Sequence, residues 1–312
     1  MLYEKIRFET PMELHQLEAF EAVVLHRSFT RAADALCLTQ PAVTRQIAAL
    51  ETELRTRLFD RLGRSVRLTA SGEVLHRYAE PVLRLVREAR DAVTDTEAGT
   101  GGRLTVGASS TLATYVLPPL LRRFRETYPL VEIGISTGVS AHILEMVREG
   151  SADVGLITTE AGPPGPGLVV TLLTDYETGV VVPPVHPLAG RERVSAAELG
   201  PYPLILMESG TNLRAFADGI LESGGVRGQI AMELDNVEAI KRMIESGLGI
   251  SLLPTVAVRA EVVSERLVAL PLAEAPRGQR RIALVYRRDK YLSGPLQAFL
   301  ERIRQDVGAG RI

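Results

Sequence analysis

Arg45 lies within SFTRAADALCLTQPAVTRQIAALETEL, residues 28 to 54, among residue types that can read the edges of bases. Val43, Ile47, Leu50 and Leu54 recur at helical spacing and are expected to form a buried stripe. At 100° per residue the opposite face carries Pro41, Ala42, Arg45, Ala49 and Thr52, flanked by Thr44 and Gln46. Small residues around one arginine suit a helix that enters a major groove, where a guanidinium pairs with guanine and a carboxamide with adenine. The candidate base-reading set is therefore the turn Thr39, Gln40, Pro41 and Ala42, together with Thr44, Arg45 and Gln46.

Two helices and a wing would have to position that face. In MELHQLEAFEAVV, Leu14, Leu17, Phe20 and Val24 fall on one stripe. Phe29, Ala32, Ala33 and Leu36 follow at helical spacing, with Ser28 as N-cap and Thr30 and Arg31 in the first turn. Thr39 can cap the third helix, whose first turn tolerates Pro41 because its amides have no partner within the helix. In LFDRLGRSVRLTASGEVL, Gly63 supplies a turn and Val66 and Leu68 alternate with Arg67, which predicts a two-stranded wing. Arg61, Arg64 and Arg67 are then placed for phosphates or a minor groove. A solvated helical hairpin with ordinary surface arginines fits the same residues.

Charge separates these readings in part. The chain holds 36 basic and 38 acidic residues, so it has no general attraction for nucleic acid. Residues 27 to 67 nevertheless carry eight arginines against four acids, a local charge of +4. No run of 18 apolar residues occurs and charges interrupt MLYEKIRFETP, so neither a membrane span nor a signal core is expected, and the cytoplasm is the expected compartment. The lone Cys37 excludes an internal disulfide and is expected to be small and buried. None of the three lysines follows a glycine, so there is no P-loop, and no two of the five histidines have zinc-pair spacing. Neither a catalytic signature nor a metal or cofactor site is expected.

From Ala70 to Thr96, Leu75, Tyr78, Val82, Leu85, Ala89 and Ala92 step by three and four, a coiled-coil seam that pairs with a second copy or packs on its own chain. Pro81 within that stretch predicts a kink. The small residues of EAGTGGRL then mark a flexible hinge. Beyond it LTVGAS, VEIGIST, DVGLIT, LILMES, GISLLP and RIALVYR alternate with helical runs, an α/β pattern. Hydroxyl-rich segments follow several strands: Ser109, Ser110 and Thr111; Thr137 and Gly138; Thr158 and Thr159; Ser209, Thr211 and Asn212. With Asn236, a candidate cap, they could line one cleft where strand ends meet helix starts, and such a cleft favours an anion. Each hydroxyl could equally serve only as an N-cap.

FTRAADAL, LTQPAVTRQIAALE, LFDR and VRLTASG, running without gaps over residues 12 to 72, resemble the N-terminal signature of LysR-type transcriptional regulators. GASSTLATYVLP is similar to members that govern carbon fixation or sulfur assimilation. The resemblance implies an α/β chain with an all-α-plus-wing N-terminal domain. Its expected parts are an extension (1–11), a winged helix-turn-helix (12–69), a linker and dimerisation helix (70–97), a hinge (98–103) and an effector-binding domain (104–312). That module is periplasmic-binding-protein-like, with two Rossmann-like subdomains, I (104–162 and 268–312) and II (163–267), and crossings near Thr158 to Gly162 and near residue 267. A homodimer or homotetramer on double-stranded promoter DNA, a small metabolite effector and RNA polymerase are the implied partners. A two-lobed solute-binding protein or an enzyme on the same fold is the alternative, lacking an export signal in one case and a catalytic grouping in the other.

Overall fold

The computed structural model describes residues 12–62, 65–95, 101–159, 165–226, 230–273 and 280–311. The expected extension 1–11, Gly63 and Arg64 of the expected wing and part of the expected hinge lie outside them. Contacts divide the chain after Val93 into two compact units.

The first unit holds α1 (Leu14–His26), α2 (Phe29–Ala35), α3 (Gln40–Glu53), an antiparallel hairpin of β1 (Phe59–Leu62) and β2 (Ser65–Leu68), and α4 (Ala70–Asp95). Its core gathers Leu17, Phe20 and Val23 from α1, Ala32 and Ala33 from α2, and Val43, Ile47 and Leu50 from α3. Phe59 lies 5.2 Å from Phe20 and 5.8 Å from Phe29 between ring centroids, which fastens the wing to the helices. Glu51 adds a polar tie, accepting from the amides of Leu58 (2.7 Å) and Phe59 (3.3 Å).

The stripes depart from expectation at single positions. On α1 Val23 is fully buried and Val24 packs against the same core half-buried, while Leu14 is exposed at the first position of the helix. Leu54 is exposed because α3 has ended before it. Cys37 is exposed, not buried: with φ of 53° it occupies the left-handed turn that closes α2. Along α4, Leu75, Ala79 and Leu83 face the core, leaving Val74, Tyr78, Val82, Leu85, Ala89 and Val93 exposed on the other side. Leu75 thus lies off the expected seam. α4 is one continuous helix through Pro81.

The second unit has two lobes. Lobe I is a five-stranded sheet ordered β4-β3-β5-β12-β6, built from β3 (Gly102–Ser109), β4 (Val131–Gly138), β5 (Val154–Thr159), β6 (Leu168–Asp175) and β12 (Arg281–Arg287). β3, β4 and β5 run parallel, and β12 is antiparallel to β5 and β6. α5 (Ser110–Tyr115), α6 (Leu117–Thr127) and α11 (Gly294–Gly308) share one apolar cluster with the sheet, and α7 (Ser140–Glu149) packs in another.

Lobe II joins β7 (Thr178–Val182), β10 (Ser251–Pro254) and β11 (Val268–Pro271) in an antiparallel sheet, beside a parallel pair, β8 (Leu204–Met207) and β9 (Ile230–Leu234). α8 (Asn212–Ser223) packs in one cluster of this lobe, and α9 (Val237–Glu245) and α10 (Thr255–Val263) in the other. The chain crosses between lobes at Tyr176–Glu177 and again between Leu272 and Arg281, not near Thr158–Gly162 and residue 267. β6 pairs with β12 in lobe I and β11 pairs with β7 in lobe II, so both boundaries fall later in the chain than expected.

Gly72, in the first turn of α4, permits a close backbone approach: a Cβ there would meet the Leu58 carbonyl oxygen at 2.2 Å. Alanine favours a helix by about 1 kcal/mol over glycine, but relief of this clash requires backbone movement costing roughly 1–3 kcal/mol. Gly72→Ala is therefore expected to lower the urea midpoint of the full chain.

Candidate nucleic-acid and effector sites

On α3 the apolar stripe sinks into the core and turns Arg45 outward, exposed, with Pro41, Ala49 and Thr52 on the same side and Gln40 exposed at the helix start. Gln40 Nε2 donates to Thr44 Oγ1 at 3.1 Å, which lines up two polar groups along the helix start. Thr39 occupies the N-cap position and is exposed, but its side chain makes no capping bond, so its hydroxyl is directed elsewhere than the expected cap. Ala42 and Thr44 are half-buried. Gln46 is also half-buried, and its Oε1 is buried without a hydrogen-bond partner among the described residues, so this carboxamide projects less than Arg45.

At the start of α2 Ser28 Oγ accepts from the Arg31 amide (3.4 Å) as expected of a cap, while Thr30 and Arg31 are exposed. Arg67 is exposed on β2, opposite Asp60 on β1. Arg61 belongs to β1 by its backbone, and Arg64 is outside the described residues.

In the second unit, strand ends and helix starts enclose a cleft of about 210 Å³ between the lobes. Drug-sized sites have roughly 300–1,000 Å³, so this one suits a small metabolite. Of the expected residues, Ser109, Ser110, Thr111, Gly138, Thr158, Thr211 and Asn212 line it. Thr137, Thr159, Ser209 and Asn236 do not. Thr137 and Ser209 are exposed, Thr159 is a further residue along β5, and Asn236 caps α9 by accepting from the Ala239 amide (2.8 Å). Thr211 both lines the cleft and caps α8, accepting from the Arg214 amide at 3.1 Å. Asn212 Nδ2 donates to the Thr158 carbonyl at 2.7 Å and so ties the lobes together.

The strongest polar groups in the cleft come from the two crossings. Tyr176 and Arg280 are each 4% exposed and both line it. The Tyr176 amide donates to the Arg280 carbonyl at 2.8 Å, so the two side chains lie on neighbouring crossing segments. The Arg280 guanidinium stands 5.2 Å from the Tyr176 ring and 5.1 Å from Phe216, and its Nη1 donates to Thr178 Oγ1 at 2.8 Å. Cation–π contact offsets part of the desolvation of this charge.

Burial pushes the Tyr176 phenol far above its usual range, against the pull of Arg280, so it remains a neutral donor. Its hydroxyl has no hydrogen-bond partner among the described residues. Two exposed carboxylates, Glu208 and Asp235, complete the lining from lobe II, so the cleft offers donors at its floor and acceptors at its rim.

The sequence does not mark Tyr176 and Arg280 as site residues, because the crossings that carry them are fixed by the long-range pairing of β6 with β12. The only signal was position, a tyrosine just after TLLTD and an arginine just before RIALVYR. Among the described residues no group of three His, Cys, Asp or Glu could hold a metal, and no helix is long and apolar enough to cross a membrane.

Residues 14–73 match the bacterial regulatory helix-turn-helix of the lysR family, and residues 97–308 match the LysR substrate binding domain. A probable RuBisCO transcriptional regulator of Synechocystis sp. is 33% identical over 95% of this chain and 86% of its own. The RuBisCO operon transcriptional regulator of Allochromatium vinosum is 31% identical over 95% and 97%. A full-length OxyR variant from Pseudomonas aeruginosa superposes with a TM-score of 0.72 at 25% identity, covering 95% and 94% of the two chains. Full-length CbnR complexed with its target DNA shares the fold at a TM-score of 0.68 and 24% identity, covering 94% and 99%.

Because the Tyr176 hydroxyl is buried and unmatched, its removal is expected to cost little without a ligand. Tyr176→Phe should leave the urea unfolding free energy within about 1 kcal/mol of wild type or raise it. A loss above about 2 kcal/mol would show that this hydroxyl supports the fold instead.

Proposed function

The chain belongs to the LysR family of transcriptional regulators, and on that premise we propose that α3 reads its promoter while the inter-lobe cleft takes a small anionic metabolite. The outward placement of Arg45 carries the DNA half of this reading. In it Arg45, the Thr39 to Ala42 turn and the Gln40–Thr44 pair meet base edges, with Gln46 at the margin. Ser28, Thr30, Arg31, Arg61, Arg64 and Arg67 hold phosphates, which supply affinity without choosing sequence.

Two copies pair through the exposed stripe of α4, whose Tyr78 and Leu85 are 69% and 66% exposed and would be costly to leave in water. Pairing sets two α3 helices against two half-sites and multiplies a modest affinity through effective concentration. The complex acts in the cytoplasm and addresses RNA polymerase at the promoter. No catalytic step enters this reading.

Arg280 and Tyr176 supply donors to an anionic group, and Glu208 and Asp235 accept from hydroxyl or ammonium groups elsewhere on the same molecule. Effector identity is approached by screening the full chain against small phosphates and carboxylates. A binder raises the melting temperature by mass action, and Tyr176→Phe should reduce that rise.

Arg45→Ala is expected to weaken operator binding by about 1–3 kcal/mol and to relax base preference at one position of each half-site. Mobility shifts on operator and scrambled duplexes at two salt concentrations measure this. Equal losses on both duplexes would reduce Arg45 to a phosphate contact, and no salt-sensitive complex on any promoter would end the DNA reading.

A further inference from the structure

Away from the cleft, a second polar assembly joins the lobes, and none of its members lines the effector site. Tyr115, the last residue of α5 in lobe I, donates its hydroxyl to Glu238 at the start of α9 in lobe II. Lys241, one turn along α9 and 3% exposed, donates to Glu238 Oε1 at 2.8 Å and to the Ala257 carbonyl of α10 at 3.0 Å. Its ammonium also lies 2.9 Å from the buried Glu261 Oε1. That ammonium is 3.5 Å from the Tyr115 hydroxyl and 5.2 Å from the centre of its ring.

The apolar contacts are reciprocal. Tyr115 packs against the α9–α10 cluster of lobe II, and Val256 from α10 packs against the core of lobe I. We infer that the Tyr115–Glu238–Lys241 assembly is a latch that holds the effector module closed, and that α5 is the lever connecting it to the cleft.

The lever follows from the length of α5. Its six residues carry Ser110 and Thr111, which line the cleft, at one end and Tyr115 at the other. One and a half helical turns of hydrogen-bonded backbone do not stretch, so a displacement at Ser110 is transmitted to Tyr115.

Protonation states keep the latch formed at neutral pH. Burial and then Glu238 push the Tyr115 phenol far above its usual range, so it stays a donor. Burial alone would raise the Glu238 carboxyl, but the hydrogen bonds from Lys241 and Tyr115 outweigh it and leave the group below its usual range. The acceptor is therefore charged at neutral pH, and a bond to a charged acceptor is stronger than one between neutral groups.

Coupling to effector rests on the cleft reading above, whereas the latch itself is tested without any effector. Spin labels at Glu301→Cys in lobe I and Glu192→Cys in lobe II, in a Cys37→Ser full-length background diluted into unlabelled protein, report the inter-lobe distance of single chains. Tyr115→Phe keeps the ring in its apolar seat and removes the bond. It should shift the ratio of long to short distances by roughly tenfold. Glu238→Ala should do the same, and the double variant should open the module no further than either single one.

A Tyr115→Phe distribution identical to wild type, or strictly additive opening in the double variant, overturns the latch. Inorganic phosphate separates the two readings. If the opened variants close again on adding it, latch and cleft are coupled through α5. If they open but ignore it while wild type also shows no phosphate-dependent rise in melting temperature, the cleft reading fails and the latch stands.

Discussion

What α3 hides determines what it can show. Val43, Ile47 and Leu50 are each at most 1% exposed, and they hold the helix at one rotation about its axis. Burying three such side chains is worth several kcal/mol, roughly 1.5–3 kcal/mol each, far more than any surface arginine gains by turning inward. The outward direction of Arg45 is therefore enforced by the core rather than chosen by the arginine. The wing depends on that core too, because Phe59 packs against Phe20 and Phe29 and Glu51 of α3 accepts the two amides that lead into the hairpin. A mutation in the α3 stripe would disturb the exposed Arg45 face and the wing together.

The effector module applies the opposite logic, in which polar groups are buried and the fold supplies them with company. Arg280 is inserted between two aromatic rings at the point where the chain changes lobes, and Tyr176 brings a hydroxyl to the same place. Neither residue could lie in a hydrophobic layer of either lobe without a desolvation cost of several kcal/mol. At a crossing, where two cores end and the cleft begins, that cost falls because a polar cavity adjoins. The hydroxyls of Ser109, Thr158 and Thr211 reach this cavity for a backbone reason, since each stands at a strand end or helix start directed toward it.

Much of this was legible in the sequence where the signal was periodic. The stripe of α3, the hairpin alternation of Val66 and Leu68 and the cap residues Ser28, Thr211 and Asn236 follow from local rules that the structure obeys. Single-position errors arose where a helix end or a two-sided helix defeats periodicity. Leu75 and Val74 are adjacent apolar residues, and only the position of the wing and α1 decides which of them is covered. The crossings were illegible for a different reason. β6 reads as an ordinary strand, and its membership of lobe I depends on pairing with β12, over a hundred residues away. Tyr176 and Arg280 inherit that long-range dependence, as does the latch, in which Tyr115 and Lys241 meet across 126 residues of sequence.

A closed resting module has a consequence for how signal can be carried. A ligand shifts a conformational equilibrium only by its differential affinity for the two states, typically by about 1–3 kcal/mol of coupling. A latch far stronger than that could not be released by a small metabolite, and a latch far weaker would leave the lobes open and reduce apparent affinity by the fraction closed. One charge-assisted hydrogen bond, worth about 1.5–3 kcal/mol, lies within the range a ligand can oppose or reinforce. Tyr115 contributes such a bond from lobe I, while the more costly burial of Lys241 beside Glu261 is settled wholly inside lobe II and need not be undone when the lobes move. Keeping the expensive pair within one lobe and letting the Tyr115 phenol cross the gap, as Asn212 does at the cleft, makes the closed state stable enough to bind and labile enough to respond.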